Sequence, residues 1–185
     1  MCALPEHDAA VGARLGALAA RAQLGDRPAL EALLRELATP LHEHVRGIVR
    51  DPDDAADVLQ ETLLLVCRRL ATLREHRWVR AWAYRIATRE AVRAARRGRA
   101  PRTLSIDTLP DFPIAIDEPV VDPELVAELP RRLDSLPAAA QTVLRMRYLH
   151  GLSQSEIAEA LEIPIGTVKS RIAYGLDVLR RTWTR

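Results

Sequence analysis

Between Gly151 and Leu176 lies a stretch whose side chains could grip DNA. Ser153-Gln154-Ser155-Glu156 has the spacing of a capping box, in which the Ser153 hydroxyl and the Glu156 carboxylate each satisfy a free backbone amide at a helix start. Ile157, Ala158 and Leu161 then share one face suited to inward packing. Glu162-Ile163-Pro164 should break that helix, because proline disfavours helical geometry in the residue before it. Val168, Ile172, Leu176 and Leu179 recur at helical spacing and predict a second helix. Thr167, Lys169, Ser170, Arg171 and Tyr174 are left for its surface, with Ser153 and Gly166 near the two helix starts. Such a helix suits the major groove, where these residue types reach phosphates and base edges. Two amphipathic helices packed core to core would show the same periodicity, so the remaining chain has to discriminate.

Two further stretches carry chemistry. Arg85, Arg89, Arg93 and Arg96/Arg97 recur every three or four residues, and only Glu90 offsets the cations between Arg85 and Arg102. Just upstream, Trp78, Trp82 and Tyr84 stand among Arg74, Arg77, Arg80 and Arg85. Guanidinium groups can hold a phosphate backbone and aromatic faces can stack on unpaired bases. The tryptophans can instead fill helix crossings, and Trp82 suits that role better than stacking. Earlier, Asp57, Gln60, Glu61, Leu64 and Arg68 form a mostly polar helical stripe, while Ala55, Val58, Thr62, Val66 and Leu70 supply another face. Read alone, that stripe is a solvated helix surface.

Enzyme chemistry is not expected. The chain has no glycine-rich phosphate loop, no G-x-S-x-G and no plausible metal cage. His7, His42, His44, His76 and His150 lack ligand spacing, so neither metal nor cofactor is expected. Cys2 and Cys67 are the only cysteines, which argues against a disulfide framework and fits a reducing cytoplasm. Glu6 and Asp8 near the start, and no long apolar run, predict neither a signal peptide nor membrane insertion.

These residues need elements to hold them. Of the 185 residues 48% are apolar but only 4% aromatic, with eight glycines. Alanine, leucine and arginine dominate and no strand alternation stands out, which predicts an all-α protein. The net charge of +2 hides segregation of acidic from basic stretches. One helix should carry Leu15, Leu18, Ala19 and Ala22 and end at Gly25-Asp26. A second should start near Pro28, bury Leu30, Leu33, Leu34 and Leu37, and be kinked or divided by Pro40. A third should run from about Asp54 to Leu73, its start favoured by the carboxylates of Asp51 to Asp54, and a fourth from about Arg77 to Arg97. Residues 103–129 hold seven carboxylates, no lysine or arginine, and Pro110, Pro113, Pro119 and Pro123, the composition of an extended linker. Leu109, Phe112, Ile114 and Ile116 suggest that it also docks somewhere. The expected organisation is a helical domain over 1–100, an acidic linker over 101–129 and a second helical domain over 130–185.

In this order the pieces resemble a bacterial RNA polymerase sigma factor of the extracytoplasmic-function (ECF, group 4) type. The resemblance rests on Ala55-Ala56-Asp57-Val58-Leu59-Gln60-Glu61, Arg80-Ala81-Trp82-Ala83-Tyr84-Arg85-Ile86-Ala87, Leu136-Pro137, Ser155-Glu156-Ile157-Ala158 and Gly166-Thr167-Val168-Lys169-Ser170-Arg171. It covers the chain from about residue 18, apart from the linker. It implies that the Asp57/Gln60/Glu61/Leu64/Arg68 stripe docks on core polymerase, which displaces the solvated-surface reading. It also implies that the arginine-rich fourth helix and its aromatics engage the −10 promoter element and capture a base from the opened strand, while the helix-turn-helix reads the −35 element. The acidic linker would thread toward the polymerase active-site channel; about thirty residues can extend roughly 100 Å. Implied partners are core polymerase, promoter DNA and an anti-sigma factor, with no small-molecule substrate.

Some positions depart from the family pattern. Thr88-Arg89 stands where asparagine is frequent, Tyr174-Gly175 where Arg-Ala is common, and Leu30, Leu34 and Leu63 where aromatics are frequent. The first bears on base identity and the second should loosen the last helix. A stand-alone helix-turn-helix regulator would bind duplex without polymerase and would leave the polar stripe and acidic linker unused. A protein-interaction adaptor would leave both basic faces unexplained.

Overall fold

The computed structural model describes residues 4–49, 51–97 and 129–183. Every regular element among them is helical, and they divide into two units, one from each half of the chain. The first unit holds α1 (Leu4–Gln23), α2 (Arg27–Arg46), α3 (Pro52–Arg69) and α4 (Val79–Arg97), with 3-10 turns at Leu70–Thr72 and His76–Trp78 between the last two. Of the acidic segment expected as a linker, all but Leu129 lies outside the described residues.

The starts of α2 and α3 are set by carboxylates. Asp26 caps α2, its Oδ1 accepting the Ala29 N–H at 3.0 Å while Oδ2 accepts from Arg21 Nε at 2.9 Å. Gly25, at φ +90°, supplies the left-handed turn that brings Asp26 into place. The Ala29 amide, and after it the Arg21 guanidinium, hold the Asp26 carboxyl below its ordinary range. Asp51 does the same work for α3, accepting from the amides of Asp53 and Asp54 at 2.9 and 3.1 Å, with Pro52 in the first turn. Pro40 does not divide α2, which runs unbroken through it. Proline removes one N–H, but Ala29, Leu33, Leu37, Leu41 and Val45 bury a continuous row at four-residue spacing that holds both halves in line.

The first core is organised around α4. It packs against α1, α2 and α3, and Ala81, Ala83, Ala87 and Ala91 are all fully buried. Methyl-sized side chains let neighbouring backbones approach closely, and Trp82, Tyr84 and Ile86 fill the remaining space. α3 contributes Ala55, Val58, Thr62 and Val66, which leaves its opposite side to water.

The second unit begins in helical residues 129–132 and a 3-10 turn at Leu133–Ser135. α5 (Ala138–Leu144) continues into a π-helical turn, Arg145–Leu149, followed by α6 (Gln154–Leu161) and α7 (Ile165–Trp183). The expected row Val168, Ile172, Leu176 and Leu179 is buried throughout. Gly175 does not loosen α7 so much as admit Leu144. A side-chain carbon on Gly175 would stand 2.6 Å from Leu144 Cδ1 and 3.3 Å from its Cγ.

Two outcomes follow from these contacts. Gly175→Ala gains helix propensity of about 0.8–1 kcal/mol, yet overpacking a buried leucine costs about 1–3 kcal/mol. The variant should therefore be no more stable than the parent in urea denaturation, and adding Leu144→Val should give a double variant more stable than the two single changes predict. For Asp26, a depressed folded-state pKa means a contribution fully present above the ordinary carboxylate range and lost as pH falls through the depressed value. Asp26→Ala should lower the melting temperature at pH 7, and the gap should close as the pH drops below about 4.

Candidate nucleic-acid interface

The helix-turn-helix is assembled from caps. Ser153 Oγ accepts the Glu156 N–H at 3.2 Å and Ser153 N–H donates to Glu156 Oε2 at 2.8 Å, which completes the capping box at α6. Ahead of it, the buried Arg147 donates from Nη1 to the Leu152 carbonyl at 3.1 Å and so ties the π-helical turn to the cap. Gly151 turns the chain between them at φ +63°. Of Ile157, Ala158 and Leu161, only Ile157 is fully buried, because α6 ends at Leu161 and the chain turns away there. That turn uses Glu162 at φ +56°, a left-handed residue without the freedom of glycine. Pro164 then starts α7, its carbonyl accepting from the amides of Thr167 and Val168 at 2.9 and 3.2 Å.

On α7, Gly166, Thr167, Lys169, Ser170 and Tyr174 are half-buried, and Ser170 Oγ donates to the Thr167 carbonyl at 3.0 Å. Arg171 departs from the surface expected for it, being only 6% exposed. It sits three residues after Val168 and four before Gly175, both buried, so helix geometry puts it on a row that turns inward.

The arginine helix is sorted by the same geometry. Arg89, Arg93, Arg96 and Arg97 are exposed and Arg85 is half-buried. Arg93 Nη1 lies 3.0 Å from both carboxylate oxygens of Glu90, so the one carboxylate in the run is committed to it. Trp82, 8% exposed, fills the helix crossing that suited it better, and neither it nor Tyr84, 1% exposed, offers an open stacking face. Tyr84 meets the His44 ring edge-on, centroids 5.1 Å apart. His44 Nε2 lies 2.8 Å from Thr88 Oγ1, whose own hydrogen goes to the Tyr84 carbonyl at 2.8 Å. The hydroxyl therefore accepts from His44, and this buried pair fixes α4 against α2. Trp78 alone of the three aromatics keeps accessible surface, in the 3-10 turn before α4, with the Arg77 guanidinium 5.5 Å from its ring centre.

α3 presents all five expected residues together. Asp57, Gln60, Glu61, Leu64 and Arg68 are exposed, and Leu64 leaves an apolar side chain 42% open to solvent. A cleft of about 400 Å³ between α3 and α4, lined by Asp57, Glu61, Glu90, Arg93 and Arg97, joins this stripe to the arginine face. Sequence reasoning found these surfaces from periodicity but did not find the His44–Thr88 pair, whose members lie 44 residues apart.

Comparison with known proteins bears directly on this arrangement. Residues 33–100 match Sigma-70 region 2 and residues 132–181 match Sigma-70, region 4. The ECF RNA polymerase sigma factor SigF of Caulobacter vibrioides is 32% identical over 173 residues, 93% of this chain and 95% of the relative. The chain belongs to the extracytoplasmic-function sigma factors. The ECF RNA polymerase sigma-E factor of Haemophilus influenzae is 31% identical over 167 residues, 84% of this chain and 88% of the relative. The solved structure of CnrH in complex with the cytosolic domain of CnrY shares the fold, with a TM-score of 0.67 at 23% identity over 92% of this chain and 97% of that one. This sigma factor binds core RNA polymerase and directs promoter-specific initiation through −10 and −35 elements. Among the described residues no helix is long and apolar enough to cross a membrane.

Thr88→Val keeps the side-chain shape but removes the acceptor of His44 Nε2. It should destabilise the first unit by about 1–3 kcal/mol in chemical denaturation, whereas Thr88→Ser should restore most of the loss.

Proposed function

We propose a division of labour in which α3 docks on core polymerase, α4 and the turn before it engage the −10 element, and α6–α7 read the −35 element. The observation that supports it most is the α3 stripe. Five residues face water along one side while Ala55, Val58, Thr62 and Val66 take the core, and the exposed Leu64 puts one apolar contact in the middle of the polar stripe. Asp57, Gln60, Glu61 and Arg68 then supply polar register around it.

On the −10 side, Arg89, Arg93, Arg96 and Arg97 line the accessible flank of α4 and suit the phosphate backbone, with Arg85 at its edge. Trp78, with Arg77 beside it, is the aromatic placed to stack on an unpaired base. Trp82 and Tyr84 support that surface from within. Extruding a base costs a few kcal/mol, which stacking and phosphate contacts have to offset. On the −35 side, Ser153, Gly166, Thr167, Lys169, Ser170 and Tyr174 form the accessible face, and Arg171 acts from below it. The acidic 101–129 segment would lie along the path of nascent RNA. The protein does no bond chemistry of its own, works in the cytoplasm with the polymerase, and is held inactive by an anti-sigma partner; the CnrH structure, solved with CnrY, supports the last point by analogy.

Purified chain added to core polymerase on a promoter library tests this reading. Transcription should require both components; promoter binding by the isolated chain with no effect on polymerase would overturn it. Glu61→Lys should weaken polymerase association about tenfold, in line with removing one well-placed charge pair, while leaving the fold intact. Lys169→Ala should weaken −35 binding across sequences and lower the salt slope by about one.

A further inference from the structure

α1 stands ahead of the region 2 match, which begins at residue 33, and nothing above gives it a role. Yet it clamps the turn that carries Arg77 and Trp78 at two points. Gly16 and Gln23 are seven residues apart and so lie on one face of α1, two turns apart. At Gly16 a side-chain carbon would come 3.2 Å from the His76 carbonyl oxygen and 3.6 Å from the Arg77 nitrogen, so this peptide rests on bare helix. At Gln23 the amide nitrogen donates to the Leu70 carbonyl at 2.7 Å and the Leu73 carbonyl at 2.8 Å. Its amide oxygen lies 2.7 Å from His76 Nε2. With both amide hydrogens given to carbonyls, that oxygen only accepts, so His76 Nε2 carries the proton. One side chain thus bridges the end of α3 and the start of the turn that presents Trp78.

We propose that Gln23 is a positioning residue for promoter opening: with Gly16 it fixes the 73–78 turn so that Arg77 and Trp78 meet the unpaired −10 base in one geometry. The proposal rests on the reading of that turn given above. A hydrogen-bonded strut on a rigid helix is what such a site needs, since displacement of a binding group by about 1 Å can cost about a hundredfold in rate.

The test uses holoenzyme reconstituted from the full chain and core polymerase, with four promoter templates that differ only at the −10 non-template base most sensitive to Trp78→Ala. Gln23→Leu should slow open-complex formation roughly tenfold on the preferred template and flatten the preference among the four. Gly16→Ala, which pushes the same turn from the other clamp point, should give the same flattening and serves if Gln23→Leu folds poorly. A smaller fraction of folded protein slows all four templates equally, so an unchanged ratio with a uniform loss would overturn the proposal. Wild-type rates and ratios in both variants, with Trp78→Ala impaired, would overturn it alone. An unaffected Trp78→Ala would overturn the reading of the turn and the proposal together.

Discussion

Close packing around α4 is the constraint on which the first unit depends. This helix must be core to three neighbours and still present cations to solvent on its remaining side. Four fully buried alanines reconcile the demands. They let α1, α2 and α3 come close around the first half of α4, where Val79 to Tyr84 are buried on every side, and guanidinium groups emerge on the flank left open from Arg89 onward. Larger residues there would push the neighbours outward and change the spacing between the exposed stripe on α3 and the arginines of α4. The His44–Thr88 hydrogen bond adds what apolar packing lacks, a directional contact that sets the position of α4 along α2.

Much of this was legible in the sequence because helical periodicity reports burial directly. The α3 stripe, the α7 row and the Ser153–Glu156 capping box all appear where spacing puts them. Periodicity failed at the margins of a face. Arg171 has the chemistry of a surface residue but the helical position of a buried one, and Tyr84 has a ring suited to stacking but a place between Ala83 and Arg85 on a helix packed on several sides. Pro40 leaves α2 undivided for a related reason: its local penalty is set against a five-residue buried row whose strength depends on partners that a single segment does not reveal.

Contacts between distant residues were beyond reach. Gln23 meets Leu70, Leu73 and His76 across about fifty residues of sequence, and its polar side chain at a helix end gives no sign of it. Gly175 shows the same limit in apolar form, since its value lies in Leu144, thirty-one positions earlier. In both places a family pattern marks a departure or is silent, and only three-dimensional proximity supplies the reason.

The π-helical turn at Arg145–Leu149, where the His150 N–H reaches back five residues to the Arg145 carbonyl at 3.0 Å, has a geometric corollary. Such a widened turn is equivalent to one residue inserted into regular helix, and each residue advances a helix by about 100°. Five residues here turn the chain about as far as four do in ordinary helix, so excision of a single residue would let the backbone relax to α geometry and leave everything downstream at nearly the same heading. The widened turn thus tolerates the loss of one residue without re-aiming the two helices that follow, whereas the same loss within α7 would rotate its outer face by about 100°.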